Sequence, residues 1–222
     1  MWPIFYVALL ESPVFNFLFV TWSLLLGWMV YLVFNPLAPE KYRGKNVNHF
    51  SPSAEMFSKR QYNLVVISNV GFFAAVAGLA WFSHMYGLMN VVFYYGIPYA
   101  VNHGILTANT FIQHTDTYVT RFHRREWYWL RGALCTVDRS FGKWFDGALH
   151  HINDTHVCHH LFPTMPFYNA VEATRALQNV LGSYYLKDDT PYHKAVWRAA
   201  RNCKFVEDYD EIVFCKRSLK EV

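Results

Sequence analysis

The sequence predicts an all-α integral membrane protein, with a transmembrane helical hairpin, a further hydrophobic segment and a helical cytoplasmic region that is rich in histidine. Two long stretches carry this prediction, because Ser12–Pro39 and Gln61–Thr115 contain no Asp, Glu, Lys or Arg. Charged residues make up only 16% of the 222 residues, below the roughly 25% of a typical soluble domain. The net charge of +4 is mild and includes no basic run, which argues against nucleic-acid binding.

The uncharged stretches define three hydrophobic segments. The first, at about residues 13–35, is long enough for a membrane helix of about 20 residues. The second stretch suits two such helices, at about 64–82 and 88–111, joined by a tight reversal at Ser83–Gly87. Helices in the core of a soluble protein are not expected to stay uncharged over such lengths.

The positively charged residues predict the orientation. The loop Glu40–Arg60 holds five Lys or Arg residues, and Asp116–Val222 holds fifteen. Cytoplasmic loops carry an excess of Lys and Arg, so both regions are expected in the cytoplasm. The chain therefore divides into a membrane region at 1–115 and a cytoplasmic region at 116–222. Whether residues 13–35 cross the membrane or lie in its interface stays open.

Two helices are predicted in the cytoplasmic region besides the histidine-rich one. Arg124–Leu134 mixes tryptophans with charged residues, a pattern that suits a helix lying along the bilayer surface. A second helix begins with a cap near Asn169, continues with apolar residues at helical spacing, and ends at Gly182 as its C-cap. The four cysteines lie far apart without a CxxC pair, which predicts reduced, unpaired thiols.

The histidine-rich helix contains the sequence His156-Val157-Cys158-His159-His160. Its three histidines lie one helical turn apart, so their imidazoles are expected to converge on one face, from which Cys158 is displaced. Neutral imidazole is the commonest metal ligand among side chains and suits iron, zinc or copper. A solvated or buried histidine cluster without metal is the alternative, but burial would leave several ring nitrogens to satisfy. The motif therefore predicts a metal site.

Three further residues are candidates for the same site. His114 lies where the second hairpin segment leaves the membrane, and an ionisable group there is either functional or simply hydrated at the interface. His151 precedes His156 by five residues and could reach the metal from an irregular helix. Asp154 could orient a ligand imidazole through its second N–H, or could act as a helix cap. HExxH, GxSxG, phosphate-loop and dinucleotide motifs are not found, so electrons are expected from a separate partner.

Around these residues the sequence resembles the membrane-bound fatty acid desaturases, most closely the Δ12 (oleate) and related ω-3 acyl-lipid branch. The resemblance implies a non-haem di-iron enzyme of the endoplasmic reticulum or of a plastid-type membrane, which takes electrons from cytochrome b5 or ferredoxin. Such an enzyme uses O₂ to insert a cis double bond into a fatty acyl lipid or acyl-CoA. The similar stretches are Phe111–Thr115, Trp127–Leu134, Thr136–Arg139, His151–Phe162 and Met165–Thr174.

The resemblance also implies site residues. His156, His159 and His160 match the third of the three histidine boxes that hold iron in this family, and His114 resembles an additional ligand at the membrane boundary. The two earlier boxes should precede Ser12, but the first histidine here is His49. The chain thus resembles the C-terminal half of a desaturase, with an incomplete set of iron ligands.

Three functions remain open at this point. The first is the C-terminal part of a desaturase, which would place the double bond at Δ12 of oleate. The second is a non-catalytic, truncated relative that acts as a membrane interaction partner. The third is a sister activity on the same scaffold, such as a fatty acid hydroxylase or conjugase.

Overall fold

The computed structural model of the chain is mostly helical and contains two compact units. One unit is Thr21–Thr107, and the other combines Met1–Val20 with Ala108–Val222. The residues that the structure describes are 11–36, 38, 40–42, 44–122, 125–206 and 212–217.

Two long helices contain the most apolar sequence. Helix α1 is Pro13–Phe34, and helix α2 is Tyr62–Tyr86, preceded by a 3₁₀ turn at Lys59–Gln61. Both are long and apolar enough to cross a membrane, by length and composition. In the most apolar 18-residue stretch of each helix, only 0% (α1) and 6% (α2) is buried. These side chains therefore do not form the core of a soluble domain. The predicted segments at 13–35 and 64–82 therefore fold as helices, and the second is longer than predicted.

The third predicted segment, 88–111, is an interrupted helix. It consists of α3 (Leu88–Val91), a π-helical turn at Val92–Gly96, and α4 (Ile97–His114). Pro98 has no N–H to donate to the carbonyl four residues earlier, which favours the wider π turn before it. The reversal predicted for Ser83–Gly87 is confined to Gly87, because α2 remains helical through Tyr86. Gly87 has a φ of 91°, which residues with a side chain rarely adopt.

Within the unit Thr21–Thr107, helices α1 and α4 approach closely. A Cβ atom placed on Gly104 would lie 3.8 Å from the Leu24 carbonyl oxygen, so the backbones come near each other at this glycine. His103 is buried on α4, and its Nε2 atom accepts a hydrogen bond from the Trp28 backbone N–H at 3.1 Å. A polar side chain thus joins two helices inside an apolar unit.

The other unit contains short helices and loops around the histidine motif. Of the surface helix predicted for Arg124–Leu134, Arg124 lies outside the described residues, and the remainder is helical only over Trp129–Ala133. The chain folds back before it, where Arg131 donates to the Glu126 carbonyl at 2.9 Å and the Trp127 indole leaves no room for a side chain on Gly132. The helices of this unit are α5 (Trp129–Ala133), α6 (Lys143–Ala148), α7 (His156–Leu161), α8 (Phe167–Leu181) and α9 (Tyr192–Asn202).

Helix α8 confirms the helix predicted to end at Gly182, which has a φ of 52° and lies at its C-cap. Helix α9 and four short strands were not predicted, so the all-α description omits a small β component. The strands are β1 (Arg121–Phe122), β2 (Phe205–Val206), β3 (Ile212–Val213) and β4 (Cys215–Lys216). Antiparallel pairing joins β1 to β3 with Arg121 opposite Val213, and β2 to β4 with Phe205 opposite Lys216.

A buried ion-pair network, which we call the arginine network, joins four segments of this unit. The side chain of Arg139 is 1% exposed and forms ion pairs with Asp116, at 2.7 Å, and with Asp188. Arg198 pairs with the same two carboxylates, at 2.7 Å for Asp116. Burial alone would raise the pKa of Asp188, but hydrogen bonds from Thr190 and Arg198 hold it below its usual range. Asp188 therefore remains charged at neutral pH.

Substitution of Asp116→Asn should lower the free energy of unfolding by about 3–5 kcal/mol, because it leaves buried guanidinium charges without a full partner. Chemical unfolding of the detergent-solubilised chain would measure this. Lys187→Ala is the matched control, since Lys187 forms an exposed pair with Asp189 whose loss should cost less than about 1 kcal/mol. Equal effects of the two variants would contradict a stabilising role for the arginine network.

Candidate metal centre

Three histidine side chains meet at one point, and we call them the histidine cluster. His114 is the last residue of α4, and His156 and His160 lie one turn apart on α7. The Nε2 atom of His156 is 3.3 Å from that of His114 and 3.2 Å from that of His160. The three ligand atoms all lie within 4.8 Å of one another, a spacing that could hold a metal ion.

The contacts of the other ring nitrogens determine which nitrogen carries the proton. His114 Nδ1 lies 3.3 Å from the carbonyl oxygen of Cys135, and His156 Nδ1 lies 3.1 Å from that of Ile152. A carbonyl oxygen only accepts, so each Nδ1 donates and each neutral ring presents a lone pair at Nε2. Two such lone pairs facing each other cannot form a hydrogen bond, whereas a cation between them would bind both. The cluster therefore has the chemistry of a metal site.

Burial keeps these imidazoles neutral. Desolvation, together with the neighbouring histidines, lowers the pKa of His156 to about 2. The same causes lower the pKa of His160 to about 4, and burial also lowers the pKa of His114. Neutral imidazole is the form that binds metal, so the cluster is ready to bind at physiological pH.

The segment Thr136–Arg139 positions His114. The last carbonyls of a helix have no partner within the helix and need donors from elsewhere. The Thr136 hydroxyl donates to the Gln113 carbonyl at 2.9 Å, and Arg139 Nε donates to the Ile112 carbonyl at 3.0 Å. These bonds fix the end of α4 against the segment and hold His114 beside α7.

Asp138, in the same segment, positions α7. Its Oδ1 atom accepts a hydrogen bond from the Val157 N–H at 2.7 Å and so serves as an N-terminal cap for the histidine-bearing helix. The Tyr185 hydroxyl donates to the other oxygen. Burial raises the pKa of Asp138 to about 6, while these hydrogen bonds oppose the shift. Sequence reasoning did not identify Asp138 as part of the site, although it lies within a stretch that resembled desaturases.

Three predicted site residues lie outside the histidine cluster. His159 is exposed, and its ring centroid is 5.5 Å from that of His156. On a helix, positions i+3 and i+4 lie on either side of position i. His160, at i+4, shares the cluster with His156, whereas His159, at i+3, is not part of it. His151 contacts Asp154 instead, with Nδ1 3.0 Å from Oδ2. Backbone carbonyls, rather than Asp154, therefore orient the rings of His114 and His156.

Comparison with known proteins assigns the chain to a family. The model of the fatty acid desaturase family matches residues 2–192. This chain belongs to the fatty acid desaturase family. The resemblance seen in the stretches from Phe111 to Thr174 is thereby confirmed, and it extends over most of this desaturase-family chain.

Curated relatives agree with the assignment. The chain is 42% identical over 207 residues to a Δ12 fatty acid desaturase of Mortierella isabellina, covering 93% of this chain and 51% of that protein. It is 43% identical over 202 residues to an endoplasmic reticulum omega-6 fatty acid desaturase of Glycine max, covering 91% and 52%. It is 40% identical over 202 residues to an oleoyl-12-hydroxylase of Ricinus communis, covering 91% and 51%. The chain spans about half the length of the curated relatives it matches.

Removal of one clustered imidazole should impair metal binding. We expect His156→Ala to weaken binding of Fe²⁺ by more than about tenfold, as measured by anaerobic calorimetry of the purified chain. His193→Ala, which removes an exposed histidine outside the cluster, is the control and should leave the affinity unchanged. Equal affinities of the wild type and the His156→Ala variant would show that Fe²⁺ binds elsewhere.

The affinity for metal should depend little on pH near neutrality. Since the pKa values of His156 and His160 lie at about 2 and about 4, protons do not compete with metal until the pH falls towards these values. Titrations with Fe²⁺ at about pH 7 and about pH 5 should therefore give similar dissociation constants. A steep loss of affinity through pH 6.5, the ordinary pKa of histidine, would contradict the burial of these rings.

Proposed function

We propose that this chain is the C-terminal part of a membrane fatty acid desaturase. Such an oxidoreductase uses O₂ to insert a cis double bond into a fatty acyl chain, here at Δ12 of oleate. The observation that carries the proposal is the convergence of His114, His156 and His160 in a chain of this family. The names of the Mortierella isabellina and Glycine max relatives favour Δ12 as the position.

Iron is the metal that the family implies, and the histidine cluster suits it because imidazole is a good ligand for iron. When bound, iron would supply the oxidising power needed to break an unactivated C–H bond. The chain itself presents neutral Nε2 atoms from the three clustered histidines. The carbonyls of Ile152 and Cys135 fix two of the ring orientations, and burial limits access of water to His156.

A di-iron centre needs more ligands than three imidazole nitrogens. His159 is a candidate for the second iron, because it is close to His156 but points away from the first site. We infer that the remaining ligands come from the part of a full-length desaturase that this chain does not span. In that arrangement the histidine cluster contributes to a centre that is completed by another polypeptide segment.

The proposed desaturase lies in the endoplasmic reticulum membrane. Helices α1 and α2 and the segment 88–111 are its hydrophobic parts, and residues 116–222 lie in the cytoplasm because of their many basic residues. Electrons come from cytochrome b5 or ferredoxin, the donors that the family resemblance implies. The substrate is a fatty acyl lipid or an acyl-CoA.

A sister activity is the second candidate. The oleoyl-12-hydroxylase of Ricinus communis is 40% identical to this chain, nearly as similar as the desaturases. A hydroxylase or conjugase would use the same histidine cluster and differ only in its product. A non-catalytic relative that pairs with an intact desaturase is the third candidate, and its own cluster would not need to support turnover.

Expression in host cells that contain oleate but no linoleate would test the proposal. We expect the chain alone to leave the fatty acid profile unchanged. Fusion to the part of the Mortierella isabellina desaturase that the chain does not match should restore a full ligand set and produce linoleate, as seen by gas chromatography. The His156→Ala fusion is the control and should produce none.

Other products would decide between the candidates. A hydroxylated fatty acid from the fusion would favour the sister activity. An inactive fusion, in cells where the intact Mortierella isabellina enzyme makes linoleate, would favour the non-catalytic relative. Linoleate from the chain alone would contradict the need for ligands from outside the chain.

A further inference from the structure

A basic groove lies along α9, away from the histidine cluster. Its volume is about 540 Å³, and no carboxylate among the described residues lines it. Such a volume is ample for a small polar group but small for a protein partner. The groove is lined chiefly by His193, Lys194, Trp197, Arg198, Arg201 and Arg217.

The groove follows from the amphipathic pattern of α9. One face of the helix is buried through small and apolar residues, including Ala195 and Ala199, which are 0% exposed. Lys194, Trp197 and Arg201 have the spacing i, i+3, i+7, which places them on one stripe along the helix. The pairing of β2 with β4 adds a fourth side chain, since Arg217 directly follows β4.

Carboxylates of the described residues compensate the positive charge of the groove only at Arg198. Arg198 pairs with Asp116 and Asp188, so it belongs to the arginine network. Within the part of the chain that the structure describes, Lys194, Arg201 and Arg217 have no carboxylate partner. The Arg201 guanidinium instead lies 5.8 Å from the centre of the Trp197 ring, in a cation–π contact.

The groove lies beside the start of α1. Lys204, three residues beyond Arg201, donates through Nζ to Oδ1 of Asn16, in the first turns of that helix. Asn16 is only 1% exposed, while the neighbouring Phe17 and Leu18 are 62% and 60% exposed, as expected of a helix that enters a membrane there. Tryptophan is enriched at the depth of the lipid headgroups, which is where this contact would hold Trp197.

We propose that the basic groove binds the phosphate headgroup of an anionic phospholipid. Arginine guanidinium groups match phosphate oxygens in charge and in geometry, and Arg201 and Arg217 are both available for such bonds. Because the groove lies beside the start of α1, it is at the depth of the lipid headgroups. The phosphate groups at that depth belong to phospholipids. The proposal depends on the membrane insertion of α1 within the proposed function, but it requires neither iron nor desaturation.

Calorimetric titration of the full chain in neutral detergent with short-chain phosphatidic acid tests this site. We expect saturable binding that the R201Q/R217Q variant weakens by about thirtyfold, the size expected for two cationic side chains at an anionic lipid surface. The K143Q/R175Q variant removes two exposed positive charges elsewhere in the same unit and should change affinity less than about threefold. The R201K/R217K variant retains the charge and should retain most of the binding.

Two results would overturn the proposal. Equal weakening by R201Q/R217Q and K143Q/R175Q would mean that phosphatidic acid senses only overall charge. Equal affinity for glycerol 3-phosphate and phosphatidic acid would indicate a soluble phosphate ligand instead of a lipid. Thermal unfolding of each variant excludes loss of structure as the cause. Because the titration uses metal-free chain without turnover, its failure would leave the desaturase proposal unaffected, and failure of the fusion experiment would leave this result unaffected.

Discussion

The position of Arg139 is the constraint on which the site depends. Its guanidinium group is buried and joins the Ile112 carbonyl to Asp116 and Asp188, so it links the end of α4 to a distant part of the chain. A buried guanidinium needs all of these acceptors, since each unpaired contact would leave a desolvated charge. The segment that contains Arg139 is therefore held in one place, and the helix end that carries His114 is held with it.

The neighbour of Arg139 extends this constraint to the second histidine-bearing helix. Asp138 caps α7 through the Val157 N–H and accepts a hydrogen bond from Tyr185. Helix α7 has only six residues, too few to be stable without tertiary contacts. Two consecutive residues thus bring His114 and His156 together from opposite sides, each through hydrogen bonds to a helix terminus.

The facing ring nitrogens destabilise this arrangement in the absence of metal, and a bound metal ion would remove the repulsion. The lone pairs of His114 and His156 face each other at 3.3 Å, and burial disfavours a shared proton. A cation between the rings would turn this repulsion into two bonds, so metal binding and stability of the unit should be coupled. The basic groove is anchored nearby, because Arg198 lines it and pairs with Asp116, two residues after His114.

Local patterns in the sequence determined much of the architecture. The length of the stretches without charged residues was enough to identify α1 and α2. The helical spacing of apolar residues, followed by a glycine, identified α8. The histidine motif pointed to the region where three imidazoles converge, and the family could be identified from the stretches around it. These features depend on neighbours in sequence, so a single chain without its fold is enough to show them.

The tertiary structure alone decided which side chains meet. The position of His114 decides that His156 and His160 meet it while His159 stays outside the cluster, although the motif treats the three histidines alike. Asp154 was a reasonable partner for a ligand by proximity in sequence, but the carbonyls of Ile152 and Cys135 take that role. Contacts of this kind join residues that are far apart in the chain. They form because buried charges and buried helix ends need hydrogen-bond partners, and the sequence around a residue does not show which distant group becomes that partner.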